Sequence, residues 1–483
     1  MTGSQPTSDP TAPPAGALRD WRAHTWVPPR RSGPGSAARN GGSLPSSVVY
    51  AGSELPYAPT AIAGHSPWVI VPPVGGGAPG GGVVVANSEG SRLVATEGGH
   101  RVTPAELFFD LVFVYAITQV TALMAADPSG LRLLGGMVAL ALLWWCWCCF
   151  AWLGNVVRAD SGAMFTVLVS VMAVVLIVSL TVPEIYDDAP GGLPAPLVFV
   201  LCYGAVRVLH LVTYWLSDPT DQALHRALRR TALLSVAPPF ALLLIGAAFT
   251  GTTQILIWLA AVVIDYLGIF LTGKSGWRVA SPGHFAERHG LIVIIALGES
   301  IVAIGVGVSG FALSTPVVAG AALGLLISAG LWRLYFRQLA DVAEQRLTAV
   351  TGDDRTRLAR DAYTFLHLPL VAGIVITALG MKKALTQIAD TGHYDLAEPL
   401  HGVVAWALPG GVGVFLLASA ALLFRTTNHR SPLLLAGGAV CLVAGPAVTF
   451  VPSLVALTLL AALVTALFLV QDTTARPHVT ATS

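Results

Sequence analysis

The sequence predicts an all-α, polytopic membrane protein of about 12 transmembrane helices, and three observations lead to that class. Of its 483 residues, 54% are hydrophobic and only 11% are charged, whereas roughly 25% are charged in a typical soluble domain. From residue 101 to about 470, apolar stretches long enough to cross a bilayer follow one another. Arginine and lysine gather on alternate connecting loops, as they do when positive loops stay in the cytoplasm.

The first hundred residues differ in composition from the rest. They are dense in Gly, Pro, Ser and Thr, with glycine runs at 75–77 and 80–82. Such a segment cannot bury enough apolar surface to offset its ordering entropy, so we expect residues 1–100 to be a disordered cytoplasmic tail. It has no basic region followed by an apolar one, which argues against a secretory signal peptide. A start codon assigned too far upstream is an alternative explanation of this segment.

The apolar stretches are interpreted as individual membrane spans. A helix needs about 20 residues, at about 1.5 Å per residue, to cross about 30 Å of hydrocarbon. The predicted spans are 105–126, 131–153, 163–183, 193–216, 231–249, 252–272, 289–309, 314–335, 362–381, 401–424, 431–451 and 453–470. The mixed-charge loop at about 336–361 is predicted to form a short helix at the cytoplasmic face.

Twelve spans divide into two halves, at residues 101–272 and 273–472, followed by a short tail at 473–483. Each half opens with a glutamate, Glu106 and Glu287. An even-numbered unit that is repeated once gives two halves of the same orientation, so the sequence predicts two parallel six-helix repeats.

Loop charges predict the orientation. With the N-terminus inside, the outside loops carry only Arg132, Lys382 and Lys383. The inside set is Arg92, Arg101, Arg158, Arg226, Arg229, Arg230, Lys274, Arg278, Arg288, Arg337, Arg346, Arg355, Arg357, Arg360, Arg425, Arg430 and Arg476. We therefore expect the bacterial cytoplasmic (inner) membrane, with both termini in the cytoplasm.

Composition and missing motifs exclude several functional classes. A net charge of +1 without a basic, aromatic-rich block argues against nucleic-acid binding. The five cysteines lie in apolar runs, and the segment 144–149, which holds three of them, lacks a second ligand cluster, so neither disulfides nor a metal site are expected. The glycine runs of the first hundred residues are not followed by Gly-Lys-Ser/Thr and so do not match a Walker loop. GxSxG, HExxH and EF-hand motifs are absent from the sequence, and no cofactor is expected. The expected partners are the lipid bilayer and an unknown small ion or solute, while the oligomeric state cannot be read from the sequence.

The first span carries two carboxylates with different predicted roles. Thr103, Pro104 and Glu106 have the pattern of a helix start with a capping box, which gives Glu106 a structural explanation. Asp110 lies one turn further along the same face, where capping cannot explain a costly intramembrane charge. Two alternatives stay open for Asp110: a structural pair with a buried arginine, or a place on an ion or proton path.

Two motifs resemble a known family. The run Glu-Leu-Phe-Phe-Asp-Leu-Val-Phe-Val-Tyr-Ala-Ile-Thr-Gln begins at Glu106, and the run His-Gly-Leu-Ile-Val-Ile-Ile-Ala-Leu-Gly-Glu-Ser-Ile-Val-Ala-Ile-Gly begins at His289. Together they resemble the bacterial low temperature requirement protein A family, over roughly residues 100–470. The resemblance implies a polytopic membrane protein that is linked by name to growth in the cold, without a settled reaction or substrate.

Glu299 is the leading candidate for a functional residue. It lies near the middle of span seven beside Ser300, and nearby glycines favour close helix packing, so its carboxylate should face the bundle interior. The structural alternative is a buried hydrogen bond to a Ser or Thr hydroxyl on a neighbouring helix. His289 opens the same span and is a supporting candidate.

A second intramembrane pair is predicted between spans four and six. Asp265 is flanked by apolar residues, and Arg207, with His210 on the same helix face, is its expected positive partner. Because such charges are costly in lipid, we expect Asp110, Arg207, Asp265 and Glu299 to converge on one polar interior.

Three functional hypotheses follow. The first is a secondary transporter or channel for a small ion or solute, with the four charges lining its path. The second is an intramembrane enzyme acting on a lipid or isoprenoid, with a catalytic cluster of Glu106, His284, Glu287 and His289 near the cytoplasmic face. The third is a structural or sensory protein whose charges lock helices together.

Overall fold

A computed structural model of the chain describes residues 93–96, 99–187, 191–272 and 276–474. These residues are helical apart from connecting segments and two isolated β-bridges, which confirms the all-α class. Most of the predicted tail at 1–100 lies outside the described residues, as does nearly all of the predicted tail at 473–483.

The helices follow the predicted spans closely. In the first half they are α1 (Pro104–Ala126), α2 (Gly130–Gly154), α3 (Gly162–Thr181), α4 (Ala195–Ser217), α5 (Gln222–Thr231), α6 (Ala237–Gly246) and α7 (Gly251–Thr272). In the second half they are α8 (Pro282–Gly307), α9 (Thr315–Phe336), α10 (Ala340–Ala349), α11 (Gly352–Leu358), α12 (His367–Ala389), α13 (Gly402–Thr427), α14 (Pro432–Val443), α15 (Gly445–Val448) and α16 (Ser453–Thr474). A π-helical segment joins α5 to α6 (Ala232–Val236), and another (Ala359–Phe365) lies between α11 and α12.

Eleven stretches of the described residues are long and apolar enough to cross a membrane, so the predicted eleventh span needs a correction. Its helix α14 has 12 residues, or about 18 Å, and Pro446, which has no N–H, opens the separate turn α15. The segment still runs antiparallel to α13, with Gly438 against Leu417 and Gly445 against Trp406. The bridge between Pro399 and Pro452 then brings the chain beside the start of α13. The predicted eleventh span is therefore two short helices, α14 and α15, instead of one continuous helix.

The outer surface of the bundle is apolar. Large aliphatic side chains are exposed along the helices, for example Leu111 (59%), Leu180 (56%) and Leu267 (55%). A soluble protein rarely exposes contiguous apolar surface on this scale, whereas lipid tails cover such a surface at no cost. The chain is an integral, multi-pass membrane protein.

The two halves share a packing pattern. α1 packs against α2 and α3, α3 against α4, and α2 against α7. In the second half α8 packs against α9 and α12, α12 against α13, and α9 against α16. α1 and α8 also run parallel and in contact, because Glu106 meets His284 near their starts and Thr118 meets Glu299 further along both. These relations support the predicted parallel repeat, which superposition of the halves would test.

Several predicted loop assignments are wrong. Arg288, assigned to a cytoplasmic loop, lies inside α8 and is 1% exposed, because this helix begins seven residues before the predicted span. Other residues assigned to loops also lie in helices: Arg226, Arg229 and Arg230 in α5, Lys382 and Lys383 in α12, and Arg425 in α13. The predicted short helix at 336–361 is confirmed as α10 and α11.

Candidate functional site

An ion cluster joins the starts of α1 and α8. Thr103 caps α1, and the Glu106 carboxylate accepts hydrogen bonds from the Thr103 N–H (2.9 Å) and hydroxyl (3.0 Å), which confirms the capping box. Arg288 donates to Glu106 Oε1 (2.8 Å) and to Asp110 Oδ1 (2.7 Å). Trp147 of α2 donates its indole N–H to the same Asp110 oxygen at 2.9 Å. All three charged side chains are 1% exposed.

His284 completes the cluster, and its neighbours fix its tautomer. The Asn155 side-chain oxygen accepts the backbone N–H groups of Ala280 and Ser281, so its amide nitrogen must face His284 Nδ1, at 3.3 Å. An amide nitrogen only donates, so Nδ1 accepts and Nε2 carries the proton. That proton points at Glu106 Oε1, 2.9 Å away.

This cluster is a structural lock between the two halves. One arginine bridges two buried carboxylates, which is the structural alternative that the sequence left open for Asp110. His100, Glu106 and His284 bring three donor groups within 4.8 Å of one another, a spacing that could suit a metal ion. The Glu106 carboxylate already accepts hydrogen bonds from His284 Nε2 and from Arg288, so Arg288 supplies the positive charge that a metal ion would otherwise provide.

A second buried pair lies between α4 and α7. Arg207 donates through Nη1 to Asp265 Oδ2 (2.5 Å), and both side chains are at most 2% exposed. Tyr203 donates its hydroxyl to the same oxygen at 2.8 Å. Ser235, in the π-helical segment before α6, hydrogen-bonds Asp265 through its hydroxyl and accepts Arg207 Nη2 on its carbonyl at 3.0 Å.

The local sequence explains why that carbonyl is free. Pro239 has no N–H to return to the carbonyl of Ser235, four residues earlier. The chain responds with π-helical bonding, in which the Ala237 N–H reaches Ala232. Such π segments are frequent at functional sites, and this one supplies an acceptor for a buried guanidinium.

Glu299 has different surroundings. Its carboxylate is 2% exposed and accepts the hydroxyl of Thr118 on α1 at 2.5 Å. Within the described part of the chain, no arginine, lysine or histidine nitrogen comes within 4.0 Å of it. The hydrogen bond to a threonine on a neighbouring helix is the one that the structural alternative predicted. Lys382 of α12 is near enough to attract Glu299 electrostatically but is not within ion-pair distance, so Glu299 differs from Asp110 and Asp265 in having no direct ion pair among the described residues.

Two supporting candidates are buried with an unused polar atom. Ser300 is fully buried, and its hydroxyl has no hydrogen-bond partner among the described residues. His289 bonds the Phe285 carbonyl through Nδ1 (2.8 Å), so that nitrogen is the protonated one and Nε2 is left without a partner. The His289 ring packs edge-on against Trp147, with the ring centroids 4.9 Å apart.

The expectation that the four charges converge on one polar interior is wrong. In the described residues they form three separate groups: Asp110 with Glu106 and Arg288, Asp265 with Arg207, and Glu299 with Thr118. The sequence predicted Arg207 as the partner of Asp265 and left a buried arginine open for Asp110, but it did not identify Arg288 as that arginine. His210 lies beside the Arg207 pair, as its spacing predicted, and lines a cavity there.

Two cavities open near these groups, and Glu299 lines neither of them. The larger, about 640 Å³, has the more polar lining of the two, which includes His100, His284, Glu287, Glu344 and Tyr363. The smaller, about 80 Å³, is mostly apolar and lies on the other side of α2, where Arg207 and His210 contribute to its wall.

Comparison with known proteins places these features in a family. A model of the bacterial low temperature requirement A protein (LtrA) family matches residues 101–469. The chain is also 27% identical over 308 residues to the uncharacterized protein RA0937 of Rhizobium meliloti (strain 1021), covering 60% of this chain and 71% of that protein. No solved structure matches. Since the family match spans most of the chain, from the first helix to the last, this protein belongs to the LtrA family.

Proposed function

We propose that this LtrA family protein is a secondary transporter or channel for protons or a small cation, and that Glu299 is the carboxylate that binds the moving ion. The observation that carries the proposal is a buried intramembrane carboxylate with a hydroxyl as its partner and no basic group within ion-pair distance. A charge in hydrocarbon is costly, so a carboxylate without a fixed counter-ion must take up a proton or a cation to be stable.

The position of Glu299 agrees with this role. It lies at the contact of α1 and α8, the parallel first helices of the two halves. In many transporters the ion site lies at the interface between repeats, where small relative movements change its access. The Thr118 hydroxyl can donate to a charged carboxylate, or turn and offer its oxygen as a second ligand to a bound cation.

Asp110 and Asp265 receive different roles from those that the sequence first suggested. Each is held by an arginine at 2.5–2.7 Å, so neither is available to an ion without breaking a buried pair. We infer that these two pairs hold the helices in register around Glu299.

The direct test is ion flux in proteoliposomes. The full chain is reconstituted, a pH, Na⁺ or K⁺ gradient is imposed, and dissipation is followed with a fluorescent indicator. We expect flux with the unaltered protein and flux at the level of empty liposomes with Glu299→Gln, which keeps the shape but cannot exchange a charge.

Gly305→Ala is the matched control, because Gly305 is on the same helix and an added Cβ meets nothing within 4 Å. It should retain flux. Full flux in Glu299→Gln, or no flux of any of these ions in the unaltered protein, would contradict the proposal.

The orientation is part of the proposal. Arg278, Arg360 and Arg425 lie where helices end on one face of the bundle, bonded to acidic groups of neighbouring loops and helices. Positive loops are retained in the cytoplasm, so we propose that this face is cytoplasmic, with both termini inside and the protein in the bacterial inner membrane. Protease access or cysteine labelling from each side would test this assignment.

The polar cavity supports a second candidate function, an intramembrane enzyme acting on a lipid-like substrate. Of the four residues that this hypothesis named, His284 and Glu287 line this cavity, while Glu106 and His289 do not. A lipid mixture that changes composition on incubation with the purified protein, and not with Glu287→Gln, would favour this candidate over transport.

A further inference from the structure

The small cavity beside Arg207 lies between α2, α4, α5, α7 and the π-helical segment 359–365. Its walls are largely apolar, with Trp145, Trp152 and Trp277 as the largest contributors. Its volume is about 80 Å³, more than the roughly 10–15 Å³ that one water requires.

Four buried residues that line this cavity each have a side-chain polar atom without a partner among the described residues. The atoms are Trp145 Nε1, Arg207 Nε, His210 Nε2 and Thr231 Oγ1, on residues that are at most 5% exposed. The other guanidinium nitrogens of Arg207 are engaged by Asp265, Tyr203 and Ser235. Buried polar groups are rarely left unpaired, so this group of atoms around one cavity indicates a missing hydrogen-bonding ligand.

The charge of the described lining residues has one sign. Arg207, Arg357 and Arg360 contribute to the lining, and the lining includes no carboxylate. Asp265 offsets the charge of Arg207 from the side away from the cavity, and Asp361 pairs with Arg360. Arg357 pairs with Asp354 through Nη2 at 3.7 Å, and its buried Nε has no partner among the described residues. An anionic group would therefore meet several donors, whereas a cation would find no carboxylate among the described lining residues.

We propose that this cavity binds an amphiphilic anion, a molecule with one phosphate or carboxylate group on an apolar chain or ring. The acidic group accepts from Arg207 Nε and the Thr231 hydroxyl, with Arg357 at the mouth. The apolar part lies against Trp145, Trp152 and Trp277. Glu299 does not line this cavity, so the proposed anion binding does not depend on ion transport.

The test measures binding to the purified full-length protein in a neutral maltoside detergent, by the shift of its thermal denaturation midpoint on titration. Octyl phosphate is the probe, 1-octanol supplies the chain without the charge, and inorganic phosphate supplies the charge without the chain. We expect octyl phosphate to bind at least about tenfold more tightly than either. Equal binding by octanol, or by inorganic phosphate, would overturn the proposal.

The decisive variant is Thr231→Val combined with His210→Leu. Both changes remove unpaired polar atoms, so the protein should fold normally while octyl phosphate binds at least about tenfold more weakly, the loss of a hydrogen bond to a charged group. Thr213→Val is the matched control. Thr213 is buried on α4, the helix of His210, but it donates to the Leu209 carbonyl at 2.7 Å and does not line the cavity. Unchanged affinity in the double variant would overturn the proposal.

Two competing ligands identify the source of the natural anion. Phosphatidic acid that displaces octyl phosphate indicates a bilayer lipid, while displacement only by single-chain acids such as octanoate indicates a soluble amphiphile. Either result supports the shared chemistry, and displacement by neither would overturn it.

Discussion

Replacing Arg288 by glutamine should destabilise the protein more than neutralising its carboxylate partner Asp110. The guanidinium bridges Glu106 at 2.8 Å and Asp110 at 2.7 Å, and all three side chains are 1% exposed. His284 is held as the tautomer that donates to Glu106 and has no compensating charge in its neutral form. Arg288→Gln therefore leaves two buried carboxylates with no fixed cation.

The expected magnitudes differ clearly. Removing one partner of a buried ion pair typically costs about 3–5 kcal/mol, and here two carboxylates lose the same partner. Asp110→Asn leaves Glu106 paired with Arg288, and the side-chain oxygen can still accept from Trp147 and Arg288. Its new amide nitrogen would occupy the position of Asp110 Oδ2, a buried atom without a hydrogen-bond partner among the described residues. One unsatisfied buried donor costs about 1–3 kcal/mol.

The assay is thermal denaturation of both variants and of the double variant, purified in the same neutral detergent. We expect Arg288→Gln to lower the midpoint most, and adding Asp110→Asn to it to recover part of the loss, because residues that share one partner are coupled by about 0.5–3 kcal/mol. Strict additivity, or a larger loss in Asp110→Asn than in Arg288→Gln, would refute the view that this cluster is a structural lock.

Two further predictions concern helix packing and the second ion pair. Gly411→Ala should destabilise the protein by about 1–3 kcal/mol, because the added Cβ would lie 2.6 Å from a backbone carbonyl oxygen of α12. Gly410→Ala is the control, since its Cβ meets nothing within 4 Å, and it should be neutral or stabilising. Comparable denaturation midpoints for the two variants would contradict this packing. Arg207→Gln should lower the free energy of unfolding by about 3–5 kcal/mol, because it leaves Asp265 buried without its positive partner. Tyr203→Phe removes one hydroxyl donor from the same carboxylate and should lower it by only about 1–3 kcal/mol. The same thermal assay ranks this pair, and a reversed order would contradict the assigned hydrogen bonds.

The membrane spans could be predicted because hydrophobic length is a local property of the chain. The broken eleventh span shows where this fails: its hydropathy is that of a full helix, but Pro446 divides it. Capping at Glu106 was equally local, since Thr103, Pro104 and Glu106 are within one turn, and the structure confirms it.

Pairing between distant residues could not be read in the same way. Arg288 was assigned to a loop because the apolar run begins at His289, yet the Ser281-Pro282 pair, a typical cap and first-turn proline, marks the true helix start. Once the helix is extended to that point, Arg288 falls on the level of Asp110 and Glu106. The separation of the four charges into three groups depends on which helices touch, and one sequence does not carry that information.

The central claim is that Glu299 gains and loses a proton or cation, and infrared difference spectroscopy of the reconstituted protein tests it most directly. Spectra are compared before and after a change of pH or of Na⁺ or K⁺ concentration, for the unaltered protein and for Glu299→Gln. We expect a buried carboxyl C=O band to change in the unaltered protein and to be missing from the variant. The same band change in both proteins, or none in either, would contradict the claim.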